Sequence, residues 1–202
     1  MAKNRRRTAF VAVIFVVIAF LTGYKHLRSH GGYSLDNDGN ITNVDVKRYD
    51  GEIIVPSEID GVTVKTLSLD GVDGIRSIEL DQAKHLESIR LNNIEIEYLD
   101  TSNNRELKQI WISHTRIERL NTKQNSMLET LGCANNRLKE LDVSDNPKLK
   151  YIDCTGNKDI SALNITNNPA LKTVYVDPSV KVEGDPSVVQ EYDEKRFSIE
   201  NS

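Results

Sequence analysis

The chain predicts a strand-rich solenoid of the α/β type, in which about six short coils stack their strands into one parallel sheet. Three observations carry this. An apolar pattern recurs at intervals of 21 or 22 residues, with blocks beginning at Val64, Leu86, Leu107, Leu128, Leu149 and Leu171. Each block opens with apolar residues alternating with polar ones, as at Leu131 and Cys133 or Ile152 and Cys154. Asparagine returns at fixed phases, at Asn104, Asn125, Asn146 and Asn168 and again at Asn136 and Asn157. Alternation gives a strand with one buried face. One coil cannot cover that face alone, so its neighbours must stack on it.

The first element lies outside the repeats. Residues 1 to 7 are basic, and Thr8 to Tyr24 form an uncharged run rich in Val, Ile, Phe and Ala. Its 17 residues stand at the lower limit for a helix that spans a bilayer. Leu21-Thr22-Gly23 is a poor small-residue cleavage site, and no Cys follows to take a lipid. The run therefore reads as an uncleaved transmembrane signal anchor over 1–24, with a cleaved signal peptide and a secreted body as the alternative. Four basic residues before the run keep the N-terminus cytoplasmic and send the body out of the cell. Lys25 to Gly32 read as a linker of about eight residues, reaching no more than roughly 28 Å.

Residues 33–63 read as an N-terminal cap. Asp38-Gly39 between Tyr33/Leu35 and Ile41/Val44 is a hairpin signal, because Gly accepts a positive φ. The same stretch partly follows a calcium-loop spacing, at Ser34, Asp36, Asp38, Gly39 and Asp45. Its first and last ligand types are wrong and it has no flanking helices, so the hairpin is the expectation and no metal is assigned. A solenoid needs such a cap because its end coil otherwise exposes apolar surface.

The repeats proper span 64–176. They are nearly self-similar at half their length, since Leu138, Leu141 and Val143 echo Leu128, Leu131 and Cys133. The nested pattern LxxLxCxxNxLxxLDVSxNPx resembles the bacterial IRREKO class of leucine-rich repeats, and IIVPSEIDGVTVKTL is similar to the segment that opens the coils of BspA-like bacterial surface proteins. The first resemblance implies a leucine-rich repeat solenoid. The second implies adhesion or surface recognition. The Asn residues read as structural, because an amide can donate and accept between backbone groups of adjacent coils.

The period fails after Val176, and 177–202 read as a C-terminal cap and tail. Asp185-Pro186 has the form of an N-cap followed by Pro. It predicts a short helix carrying Val189 and Tyr192, with Phe197 beyond it.

Charge limits the partners. The chain has 26 basic and 30 acidic residues, but six of the basic ones and none of the acids lie in residues 1–30. The remaining body has a formal charge of −10, which argues against nucleic acid as a partner. The chain carries no nucleophile elbow, phosphate loop or zinc-ligand spacing, so neither enzyme activity nor a cofactor is expected. The four histidines do not cluster with Cys or acids along the repeat columns. Cys133 and Cys154 occupy the same buried position on adjacent coils. Parallel Cβ vectors there fit a disulfide poorly, so both should be buried thiols.

The polar half of each strand is where a ligand could bind. One column reads Ser68, Arg90, Trp111, Gly132, Asp153 and Tyr175, and the column before it Thr66, Ser88, Gln109, Thr130, Tyr151 and Thr173. The candidate site is Arg90, Gln109, Trp111, Tyr151, Asp153 and Tyr175. Trp, Tyr and Arg exposed together have the composition of a binding hot spot. For Trp111 two readings stay open: it binds, or it lies flat over Gly132 and shields it. The function that follows is a membrane-anchored, exported binding module for a protein or glycan. The alternative is an envelope scaffold that holds a partner in its own membrane or wall.

Overall fold

A computed structural model describes residues 28–30, 32–36 and 38–191 of the chain. The expected anchor over 1–24 lies outside these residues, as do Tyr192 and Phe197. No helix among the described residues is long and apolar enough to cross a membrane.

The period sets the architecture. Thr66–Asp70, Ser88–Asn92, Gln109–Ser113, Thr130–Gly132, Tyr151–Asp153 and Thr173–Val176 pair in parallel, each with the strand one coil on. Inward positions such as Leu67, Ile89, Ile110, Leu131, Ile152 and Val174 are completely excluded from solvent. The register puts Arg90 beside Trp111, Trp111 beside Gly132 and Asp153 beside Tyr175.

The sheet extends past the repeats at both ends. On the N-terminal side Tyr33–Leu35 and Ile41–Val44 form the expected hairpin. Asp36 closes its turn, because its carboxylate accepts from the Asp38 and Asn40 N–H groups at 2.9 and 3.0 Å. Ile41 then joins the ladder opposite Leu67. Arg28–His30 adds an antiparallel strand on Tyr33–Leu35, so the expected linker over 25–32 is partly sheet. Gly32 at φ 98° permits the reversal between the two strands. A second hairpin, Glu58–Ile59 with Val62–Thr63, turns on Asp60-Gly61 at φ 53° and 76°. That Asp-Gly pair with two positive φ values is the two-residue turn that suits strand twist.

At the other end the expected helix is replaced. Asp185 does cap, its side chain accepting from the Ser187 N–H at 2.9 Å. Only one 3-10 turn follows, Pro186–Val188, and Val189–Glu191 then pairs in parallel with Thr173–Val176. The open edge of Thr173–Val176 offers a row of unpaired backbone groups. Three residues of strand satisfy those groups, and a short helix would leave them bare.

The described residues contain no α-helix, which corrects the α/β expectation. The inner and outer apolar positions of a coil are eight residues apart at Leu91 to Leu99, Ile112 to Leu120 and Cys133 to Leu141, and nine at Leu69 to Ile78 and Cys154 to Leu163. That is too short for a stable helix plus two turns. The outer side is instead built of short strands in pairs: Glu52–Ile54 with Ser77–Glu79, Tyr98–Asp100 with Arg119–Asn121, and Ala162–Asn164 with Lys181–Glu183. Two shallow grooves open in this outer layer, of 650 Å³ beside Ile78 and Tyr98 and of 320 Å³ beside Leu141 and Ala162. Both lie where a nine-residue coil meets an eight-residue one.

Buried amides hold the coils together. Asn104, Asn125, Asn146 and Asn168 each donate from Nδ2 to two carbonyls of the preceding coil, at 2.7 to 3.1 Å. Asn136 reaches Ile112 O and Cys133 O, and Asn157 reaches Cys133 O and Cys154 O, at 2.7 to 2.9 Å. These carbonyls sit at coil corners, where the ladder has ended and water is excluded. Ion pairs repeat on the flanks in the same way. Lys65 and Lys108 both bind Glu87, Arg116 binds Glu95, Lys139 binds Glu118 and Lys150 binds Glu129.

Candidate functional site

The candidate residues share one face of the long sheet, as strand alternation requires. Gln109 and Trp111 come from Gln109–Ser113, Tyr151 and Asp153 from Tyr151–Asp153, Arg90 from Ser88–Asn92, and Tyr175 from Thr173–Val176. Arg90 and Gln109 are exposed, and the other four are half-buried.

The aromatics form a continuous shelf. Trp111 and Tyr151 have ring centroids 5.5 Å apart at 42°, and Tyr151 and Tyr175 are 5.8 Å apart at 57°. Trp111 and Tyr151 are two strands apart, and Gly132 on the strand between them lets the rings meet. A Cβ on Gly132 would overlap Cε3 and Cζ3 of the Trp111 indole. Trp111 therefore does cover Gly132, which is itself buried. Covering Gly132 and offering a ring to a ligand are compatible, because the indole stays half-exposed.

Burial sets the ionisation of this shelf. The Tyr151 phenol is pushed up to about 12, first by burial and then by the Asp153 carboxylate and Tyr175, so it is a neutral donor at physiological pH. Asp153 is committed to a turn, accepting from the Thr155 N–H at 3.1 Å and the Thr155 hydroxyl at 2.7 Å. These bonds fix the direction of its carboxylate beside Tyr175.

Cys133 and Cys154 are buried and unpaired as thiols behind this face. Burial raises both, Cys154 to about 12 and Cys133 well above its ordinary value. The Cys154 thiol points to the Tyr175 carbonyl at 3.7 Å. Thiols held neutral in this way are packing groups and poor nucleophiles.

Sequence reasoning missed three parts of the molecule's surface and frame. Gln190 extends the candidate face beside Tyr175. Its signal was hidden because the repeat had ended and the Asp-Pro pair pointed to a helix. Tyr98, 59% exposed, stands on the outer side at the larger groove. Thr101 and Thr122 hydrogen-bond the amide ladder, donating to Asn125 Oδ1 and Asn146 Oδ1 at 2.8 and 2.7 Å. Their 21-residue spacing was available as a signal. Among the described residues, no three His, Cys, Asp or Glu side chains gather as a metal site.

No family model and no curated protein matches the chain. Among solved structures, it is similar to the T. pallidum leucine rich repeat protein TpLRR, at 16% identity over 84% of this chain and 91% of that one, with a TM-score of 0.39. It is also similar to the functional domain of InlJ from Listeria monocytogenes, a domain that includes a cysteine ladder. There the identity is 18% over 81% of this chain, with a TM-score of 0.35, and the chain spans 54% of the length of that domain.

Proposed function

We propose that this chain is a non-enzymatic recognition module that holds a protein or glycan partner on its long parallel sheet. The observation that carries the reading is the Trp111–Tyr151–Tyr175 shelf, half-exposed on a face that no other described element covers. Main-chain pairing on both sides of each strand fixes these side chains before a ligand arrives, so little ordering cost is left to binding. The partner is neutral or basic, in keeping with a body of formal charge −10. The apolar run over residues 8–24 anchors the module in a membrane with its body exported, as a single-pass surface protein.

One observation favours a partner in the protein's own envelope. The described sheet begins at Arg28, so the tether from Tyr24 spans at most roughly 14 Å, half the reach that an unstructured 25–32 would have. The sheet is thereby held close to the bilayer, unless the leader is cleaved and the body secreted.

The test is a binding screen with the full chain and an Arg90→Ala/Tyr175→Ala double variant in parallel, with both checked for the same circular dichroism spectrum. A partner that loses at least about tenfold in affinity for the double variant supports the reading. A partner held equally by both proteins places recognition elsewhere, with the outer grooves as the next candidates.

A further inference from the structure

Charge is segregated on this molecule. The alternating ion pairs of Lys65, Glu87, Lys108, Glu129 and Lys150 run along a flank. The sheet face carrying the aromatics is sparsely charged, with Arg90 as a cation and Asp70, Asp153 and Asp177 as carboxylates. Its acids are engaged: Asp70 accepts from Asn92 and Asn93, Asp153 from Thr155, and Asp177 from the Gly156 N–H. The uncharged polar groups beside the shelf are the amide of Gln109 and the hydroxyls of Thr130 and Thr173, with the amide of Gln190 past Tyr175; Arg90 and Asp153 are its charged neighbours.

A ligand suited to this face has apolar ring faces to lie on Trp and Tyr, many hydroxyls to exchange with amides and hydroxyls, and no net charge. Arg90 is the one cation in the central column, so the column offers a ligand ring faces far more than charge. A polyanion would meet a body of formal charge −10 and be repelled. Sugar rings have the matching chemistry, since their C–H faces are apolar and their hydroxyls both donate and accept.

Resting on the reading of this face as the recognition surface, we propose that its ligand is a neutral oligosaccharide. The sugar rings stack along Trp111, Tyr151 and Tyr175, and Gln109, Thr130 and Thr173 read the hydroxyls. The shelf runs across successive strands about 4.8 Å apart, so it engages several sugar units of an extended chain and not a terminal residue alone.

Trp111 is the only Trp in the chain, so its emission reports directly on occupancy. The experiment titrates the full chain with neutral di-, tetra- and hexasaccharides of glucose, mannose and N-acetylglucosamine, and with an anionic heparin hexasaccharide. The expected result is a saturable change in Trp111 emission with at least one neutral series. Affinity should rise with chain length and change by less than about twofold between low salt and about 0.5 M NaCl. Tyr175→Ala should weaken that binding at least about tenfold and Gln109→Ala about threefold, and Tyr98→Ala on the outer side should leave it unchanged. Gln109 is exposed, so its variant keeps the test valid if Tyr175→Ala fails to fold. A response confined to heparin, no response to any neutral series, or a neutral response untouched by Gln109→Ala overturns the proposal. If the saccharides fail but a protein partner is lost with the same substitutions, the recognition surface stands and the ligand class falls. If only Tyr98→Ala weakens a ligand, both fall.

Discussion

The buried amide ladder makes a prediction that runs against the usual expectation for core substitutions. In two coils a threonine hydroxyl satisfies the amide oxygen of the next coil, Thr101 at Asn125 Oδ1 and Thr122 at Asn146 Oδ1. Each hydroxyl also faces a carbonyl oxygen, Asn121 O at 2.9 Å and Asp142 O at 3.1 Å, so its single proton is shared between two acceptors. One coil further, Val143 stands where the threonine would be, and Asn168 Oδ1 is buried without a hydrogen-bond partner. Leu80 leaves Asn104 Oδ1 unpartnered in the same way at the other end. Val143→Thr supplies the missing donor at nearly constant volume. It loses roughly 0.8 kcal/mol of apolar burial for one methyl and relieves an unsatisfied buried oxygen, an effect of about 1–3 kcal/mol. The expected net is a stabilisation of about 0.2–2 kcal/mol, or up to roughly 8 °C in Tm for a domain of this size. The converse change, Thr122→Val, strands Asn146 Oδ1 and should cost about 1–3 kcal/mol. Urea unfolding followed by Trp111 fluorescence and by circular dichroism, compared at equal m-values, measures both. If Val143→Thr destabilises by about 1 kcal/mol or more, as an ordinary buried hydroxyl would, the ladder reasoning is refuted.

Three further outcomes follow. Gly132→Ala pushes a methyl into the Trp111 indole and should destabilise by about 1–3 kcal/mol while shifting the Trp111 emission; an unshifted spectrum would mean that the ring does not rest on Gly132. His114 holds φ 51° in a column of left-handed residues with Gly71, Asn93, Asn135 and Gly156, so His114→Gly should stabilise by about 0.5–1 kcal/mol, and a lower midpoint would refute the strain. Glu87 lies between Lys108 and Lys65, whose hydrogen bonds hold its carboxyl down to about 2. A folded value below the unfolded one contributes stability above about pH 4.5, and this is lost as the pH falls toward 2. Partial exposure screens the effect, and Glu87→Gln should flatten the acid limb of the stability curve; an unchanged limb would show that the pair contributes nothing.

Much of this molecule can be read from its residues in order. The 21- and 22-residue period, the buried positions from Leu67 to Val176 and the order of Arg90, Trp111, Gly132, Asp153 and Tyr175 across the sheet all follow from one strand periodicity repeated without a break. A repeated local pattern states its own neighbours, because each coil stacks on the next at the same phase. The aromatic shelf needed the fold. Nothing in the sequence says that the Trp111 indole leans over Gly132 to meet the Tyr151 ring, since that depends on an absent side chain one strand away.

The two ends were decided by tertiary structure alone. Arg28–His30 and Val189–Glu191 have weak local signals, a linker composition in one case and a helix cap in the other. Each became a strand because a neighbouring edge had unpaired backbone groups to satisfy, at Tyr33–Leu35 and at Thr173–Val176. The Thr–Asn pairs of the ladder belong to the same class. A threonine and an asparagine 24 residues apart come within hydrogen-bond reach only when one coil lies on another. Periodicity is a property of the chain, but an open edge and a buried orphan oxygen exist only after stacking, and they decide which residues close the structure.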